Sequence, residues 1–193
     1  MKKTEKILII TALTGIILGL FLIPGGNIIT VLSLAVLSML YFYFSLALLN
    51  GLSIRQMFKK QSYKGISAMR ITGSVLAGIV LSILTLGVLF KVMLWPGSSS
   101  MLLTGGLLML ITGIICLIKF ASTKAEFYRN MTLRSFIFTA LAFFLAFSSL
   151  MFLQEFKYRN YPEYLELMRA SQADPDNQEL WQKLDEKRQE MAE

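Results

Sequence analysis

The stretch "LFKVMLWPGSSSMLLTGGLLML", Leu89 to Leu110, decides the architecture. An apolar run reaches Trp95, Pro96-Gly97 interrupts it, and a second apolar run begins within five residues. Proline cannot continue a helix without losing a hydrogen bond, and glycine takes the turn conformation that follows. So short a link makes the two flanking helices antiparallel neighbours. Shifting the chain by 72 residues superimposes "LGLFLIPGGNII" (18–29) on "FKVMLWPGSSSM" (90–101). Pro24 then falls on Pro96, Gly25 on Gly97, Leu22 on Leu94 and Gly15 on Gly87. The spacing predicts two hairpins of one kind, arranged as a parallel rather than an inverted repeat.

Around these hairpins, five runs reach the roughly 17–25 apolar residues that a spanning helix needs. They cover 7–23, 28–49, 71–95, 101–118 and 135–153. The chain of 193 residues is 55% hydrophobic and 16% charged, against about 25% charged in an ordinary soluble domain. The expected fold class is therefore all-α: a polytopic membrane protein with about five spans. Residues 1–153 form its membrane domain, and 154–193 form a polar, acidic, mostly helical tail.

Charge placement sets the expected topology. Residues 1–153 hold thirteen Lys/Arg and two acids, Glu5 and Glu126, while 154–193 hold six Lys/Arg and ten acids. Lys2, Lys3 and Lys6 precede the first run, and the links at 50–70 and 119–134 are basic. The two Pro-Gly links carry no charge. The positive-inside rule puts the N-terminus and both basic links in the cytoplasm, and with five spans the tail on the opposite side. Basic residues confined to short links suit lipid headgroups rather than nucleic acid. In the first link Ser53 and Gln56 fit a capping box. Arg55, Lys59 and Lys60 would lie near headgroups around a short surface helix carrying Met57 and Phe58.

Small residues mark packing faces: Gly15 and Gly19 form a GxxxG in the first run, and Ser74, Gly78 and Ser82 line the third. Such faces let helices approach closely, within one bundle or between copies. In the tail, Pro162 starts one helix. Asp174 is the expected N-cap of a second, whose stripe is Leu180, Trp181, Leu184 and Met191. The stripe would pack on the first tail helix, the membrane surface or a partner.

The chemistry-bearing residues are few. There is no histidine, and the one cysteine, Cys116, lies in an apolar run. A disulfide framework and a Cys/His metal site are both excluded within one chain, and no cofactor fingerprint is present. No acid falls inside the five runs, which disfavours a pump. Lys91 is the one charge within a run. It can snorkel past Trp95 to the interface, or hold a specific position such as a helix C-terminus or a partner carboxylate. Tyr41-Phe42-Tyr43-Phe44 reads as packing or an interfacial belt.

With those residues in place, 89–118 resembles the N-terminal membrane hairpin of GldL, the gliding-motility and type IX secretion protein of Bacteroidetes. A fainter likeness covers 18–40. That family reads approximately F-K-x-x-H-W-P-G followed by a glycine-containing apolar helix. Lys91, Trp95, Pro96 and Gly97 match; Leu94 stands where the family has histidine, and 101–118 holds no acid. The resemblance implies a shared hairpin and a bacterial inner membrane, without the carboxylate that proton handling would use. The expected function is therefore non-enzymatic: a structural or interaction protein whose tail contacts an envelope partner. The alternatives are an accessory subunit of a GldL-like motor complex, or a small transporter or channel.

Overall fold

The computed structural model describes residues 1–190, except the side chain of Lys60, and divides them after Ser148 into two compact units. Within the first unit lie α1 (Lys2–Leu20), α2 (Gly26–Asn50), α3 (Ile54–Met57), α4 (Ala68–Val92), α5 (Ser98–Thr123) and α6 (Glu126–Phe147). The second holds α7 (Leu150–Lys157), α8 (Pro162–Ala173) and α9 (Gln178–Glu190). The described chain is all-helical, and α2, α4, α5 and α6 are long and apolar enough to cross a bilayer. This is an all-α polytopic membrane protein.

The closing bonds of the duplicated turn recur in both copies. Leu22 N–H donates to Gly19 O and Leu94 N–H to Lys91 O, both at 3.2 Å. One residue on, Ile23 N–H donates to Leu18 O (2.9 Å) and Trp95 N–H to Phe90 O (2.8 Å). This is a Schellman closure, which normally places glycine in the left-handed position. Here leucine occupies it in both copies, with φ of 56° at Leu22 and 60° at Leu94. A left-handed non-glycine residue costs about 1–2 kcal/mol. Gly25 and Gly97, both at φ 84°, then start the return helices.

Close approach between helices rests on small residues. A Cβ on Gly15 would lie 2.7 Å from the Thr30 backbone nitrogen, which holds α1 against α2. A Cβ on Gly78 would lie 2.0 Å from Ser45 Cβ, which holds α4 against α2. On the same α2–α4 seam, Ser38 and Ser82 hydroxyls bond at 2.7 Å and Asn50 Nδ2 donates to Ser74 Oγ at 2.9 Å. The faces expected at Gly15/Gly19 and Ser74/Gly78/Ser82 are therefore covered within the chain, and self-association through them is set aside. Further on, α4 packs on α5, and α5 packs on α6 through Gly106 and Gly113. Because α1 and α4 run parallel, both Pro-Gly turns lie at one end of this unit. The N-terminus and both basic links lie at the other, called the basic end below.

Three expected boundaries move. The basic link at 119–134 shrinks to Lys124-Ala125, because α5 continues through Lys119 and α6 starts at Glu126. The fifth run, 135–153, is not one helix: α6 ends at Phe147 and α7 begins at Leu150. Ser148 Oγ donates to Leu145 O and Ser149 Oγ accepts from Met151 N–H, so two serines redirect the backbone there. Asp174 does not cap α9. It follows α8, and Asn177 Oδ1 accepts from Leu180 N–H instead.

The second unit has a small core of its own. Tyr164 and Met168 of α8 pack on Leu184 of α9, and Lys187 pairs with Glu163 at 2.9 Å. Part of the expected stripe thus docks on the first tail helix, while Met191 lies outside the described residues. Burial, then the neighbouring Tyr158 ring, pushes the Tyr164 phenol up to about 12. Burial, then the Arg188 charge, holds the Lys157 ammonium below its ordinary value.

Candidate functional site

Two buried charges, one at each end of the first unit, are the chemically distinctive features. At the basic end Glu5 is 5% exposed, inside α1 rather than in a solvated flank ahead of it. Arg134 Nη2 of α6 lies 2.9 Å from Glu5 Oε1 and 3.1 Å from Oε2. Tyr41 of α2, fully buried, donates its phenol to Glu5 Oε1 at 2.9 Å and meets the Phe138 ring edge-on at 6.4 Å. A carboxylate, a guanidinium and a phenol from three helices thus form one hydrogen-bonded cluster. Glu5 lies ahead of the apolar run 7–23, yet it is buried within α1 rather than solvated. The signal for Glu5 was its phase: Glu5, Ala12, Gly15 and Gly19 fall on one buried face of α1.

This cluster does structural work that the helix contacts leave undone. α1 makes few direct contacts with α6, and the Glu5–Arg134 pair is a direct polar link between them. Its net contribution to stability is small, because desolvating both ions offsets most of their attraction. What it supplies is registration.

Beside the cluster is a cavity of about 440 Å³, lined by Lys2, Asn50, Arg70, Glu126, Asn130 and Arg134 among others. Arg70 is oriented by Asn50, whose Oδ1 accepts from Nε at 2.7 Å, and by stacking 4.0 Å over the Phe127 ring. Its terminal nitrogens make no hydrogen bond among the described residues. Arg134 Nη1 is buried without a partner, as are Thr132 Oγ1 and Ser135 Oγ. Glu126 faces outward to Arg129 at 3.4 Å, with its side chain 76% exposed.

At the other end Lys91 is 1% exposed, so it does not snorkel. Its Nζ donates to Ser148 O at 2.6 Å, capping the C-terminus of α6 where backbone carbonyls are left over. The equivalent position in the first hairpin is Gly19, against which the Asn27 side chain packs. The helix end beside Gly19 is the N-terminus of α2, which begins at Gly26 and leaves over N–H groups rather than carbonyls, so a lysine there would find no acceptor like the one Lys91 has.

The other expected residues are placed without forming a site. Trp95 is 42% exposed and edge-on to Phe90 at 5.1 Å, while Pro24, Pro96, Gly25 and Gly97 only form the turns. Trp181 is 41% exposed, its indole N–H fixed on Pro175 O at 2.9 Å. Cys116 is buried, and no group of three metal-ligating side chains occurs among the described residues. Neither a protein-family model, a curated protein nor a solved structure matches the chain.

Proposed function

We propose that this is a non-enzymatic integral protein of a bacterial inner membrane, whose tail recruits an envelope partner. The observation that carries the reading is the exposed indole of Trp181. It is held by its own hydrogen bond on a two-helix unit that already has a core, so its exposure is not left over from incomplete folding. The interior of the first unit is consistent with that reading, its serines and threonines bonding mainly to backbone and to each other. In this reading α1 is a fifth span. Its turn matches that of α4, and its apolar residues Ile7–Leu20 extend about 21 Å, with the lysines ahead of them reaching headgroups. Five spans with a cytoplasmic N-terminus place the tail outside.

Trp181→Ala and wild-type protein, each purified in mild detergent after in-cell crosslinking, test the reading. Loss of a discrete crosslinked partner in the variant supports it, and an unchanged profile removes it. Cysteines introduced at Ser62 and Asp185 in a Cys116→Ser background should label from opposite sides of the membrane. A second reading, an accessory subunit of a GldL-like motor complex, rests on the Lys91-to-Gly97 hairpin. It predicts that the partner is a component of such a complex.

A further inference from the structure

The basic cavity and the seam beneath it together suggest a ligand. Below the Glu5–Arg134–Tyr41 layer, α1 and α6 line an apolar cleft of about 150 Å³. Ile9, Leu13 and Ile16 of α1 face Phe138 and Leu141 of α6 across it. The polar cavity and the apolar cleft lie in order along the α1–α6 seam, one on each side of the Glu5–Arg134–Tyr41 cluster: Lys2 then Ile9 on α1, Arg134 then Phe138 on α6. That order, cationic at the membrane surface and hydrocarbon beneath, is the order of an anionic amphiphile.

The cations are assembled from three helices, and their geometry leaves donors unused. Arg70 is held by Asn50 and Phe127, its terminal nitrogens making no hydrogen bond among the described residues, where Arg134 also keeps an unpartnered buried Nη1. A buried donor without an acceptor costs free energy unless a ligand supplies one. Guanidinium groups bind phosphate oxygens through paired hydrogen bonds, and basic pockets between membrane helices suit phosphate headgroups. We infer that this seam binds an anionic phospholipid, its phosphate between Lys2, Arg70 and Arg134 and one acyl chain against Leu13 and Leu141. The inference is independent of the tail and of its partner.

The full chain in mild detergent tests it by thermal unfolding, titrated with phosphatidylglycerol, phosphatidylcholine or inorganic phosphate. Phosphatidylglycerol is expected to raise the midpoint at far lower concentration than the other two. Lys2→Gln, an exposed position, should weaken phosphatidylglycerol about fivefold, and Arg70→Gln more. Leu141→Trp, filling the cleft, should weaken long-chain lipid and spare the short-chain form. Equal shifts with phosphatidylcholine would overturn the headgroup assignment. Equal shifts with inorganic phosphate would make the site one for a soluble anion, and so overturn the lipid. Indifference to Lys2→Gln and Arg70→Gln together would overturn the site.

Discussion

Glu5 and Lys91 are both buried charges in a membrane protein, yet they are satisfied by opposite means. Glu5 meets a full opposite charge from α6, a helix that otherwise barely touches α1, and a phenol from the adjoining α2. Lys91 meets a single backbone carbonyl at the end of a helix. The first is a pair, in which losing either partner strands a charge in a low-dielectric layer. The second is a cap, where the carbonyl it serves is only partially charged. At the basic end the fold uses ionic chemistry to join α1 to α6. At the Pro-Gly end it uses a lysine to terminate α6.

The difference can be broken most sharply at the pair. Arg134→Leu should destabilise the bundle by about 3–5 kcal/mol, read by denaturant unfolding in detergent. Adding Glu5→Leu should recover most of that loss, since an apolar replacement of both ions restores neutrality. If the double variant is as unstable as the single, the pair is not the reason Arg134 matters. At the cap, Lys91→Leu should cost about 1–3 kcal/mol, the range for one unsatisfied buried group. Removing no second partner should rescue it.

Smaller effects separate the two hairpins from their shared strain. Leu22→Gly and Leu94→Gly each release a left-handed leucine, so each should be neutral or stabilising by up to about 1 kcal/mol. A large loss at Leu94 alone would mean that the second turn also positions Lys91. At neutral pH the smallest effect concerns the tail. The folded Tyr164 phenol titrates near 12 against about 10 unfolded, so its raised pKa stabilises the tail below pH 10. That contribution should be lost as pH rises from about 10 to 12. Trp181 emission in a Trp95→Phe background should report this loss. Emission independent of pH across that window would remove Tyr164 from the tail core.

Much of this architecture was legible in the residues. Pro24-Gly25 and Pro96-Gly97, with the apolar runs around them, announced two hairpins, because helix interruption is a local property of proline and glycine. Ser53-Gln56 closed as a capping box, with both bonds formed, for the same local reason. The candidate sites were less legible. Arg134 read as part of a link because its neighbours are polar, and Glu5 as a flank because lysines surround it. Nothing local says that residues 129 positions apart will meet.

By itself, then, the sequence determined what depends on local chemistry: helices, turns, membrane character and the small residues that permit close packing. Tertiary structure alone decided which buried charges find partners. It joined Glu5 to Arg134 and Tyr41, and it brought the end of α6 to Lys91. Burial makes a charge seek compensation, but only the arrangement of helices determines which group supplies it.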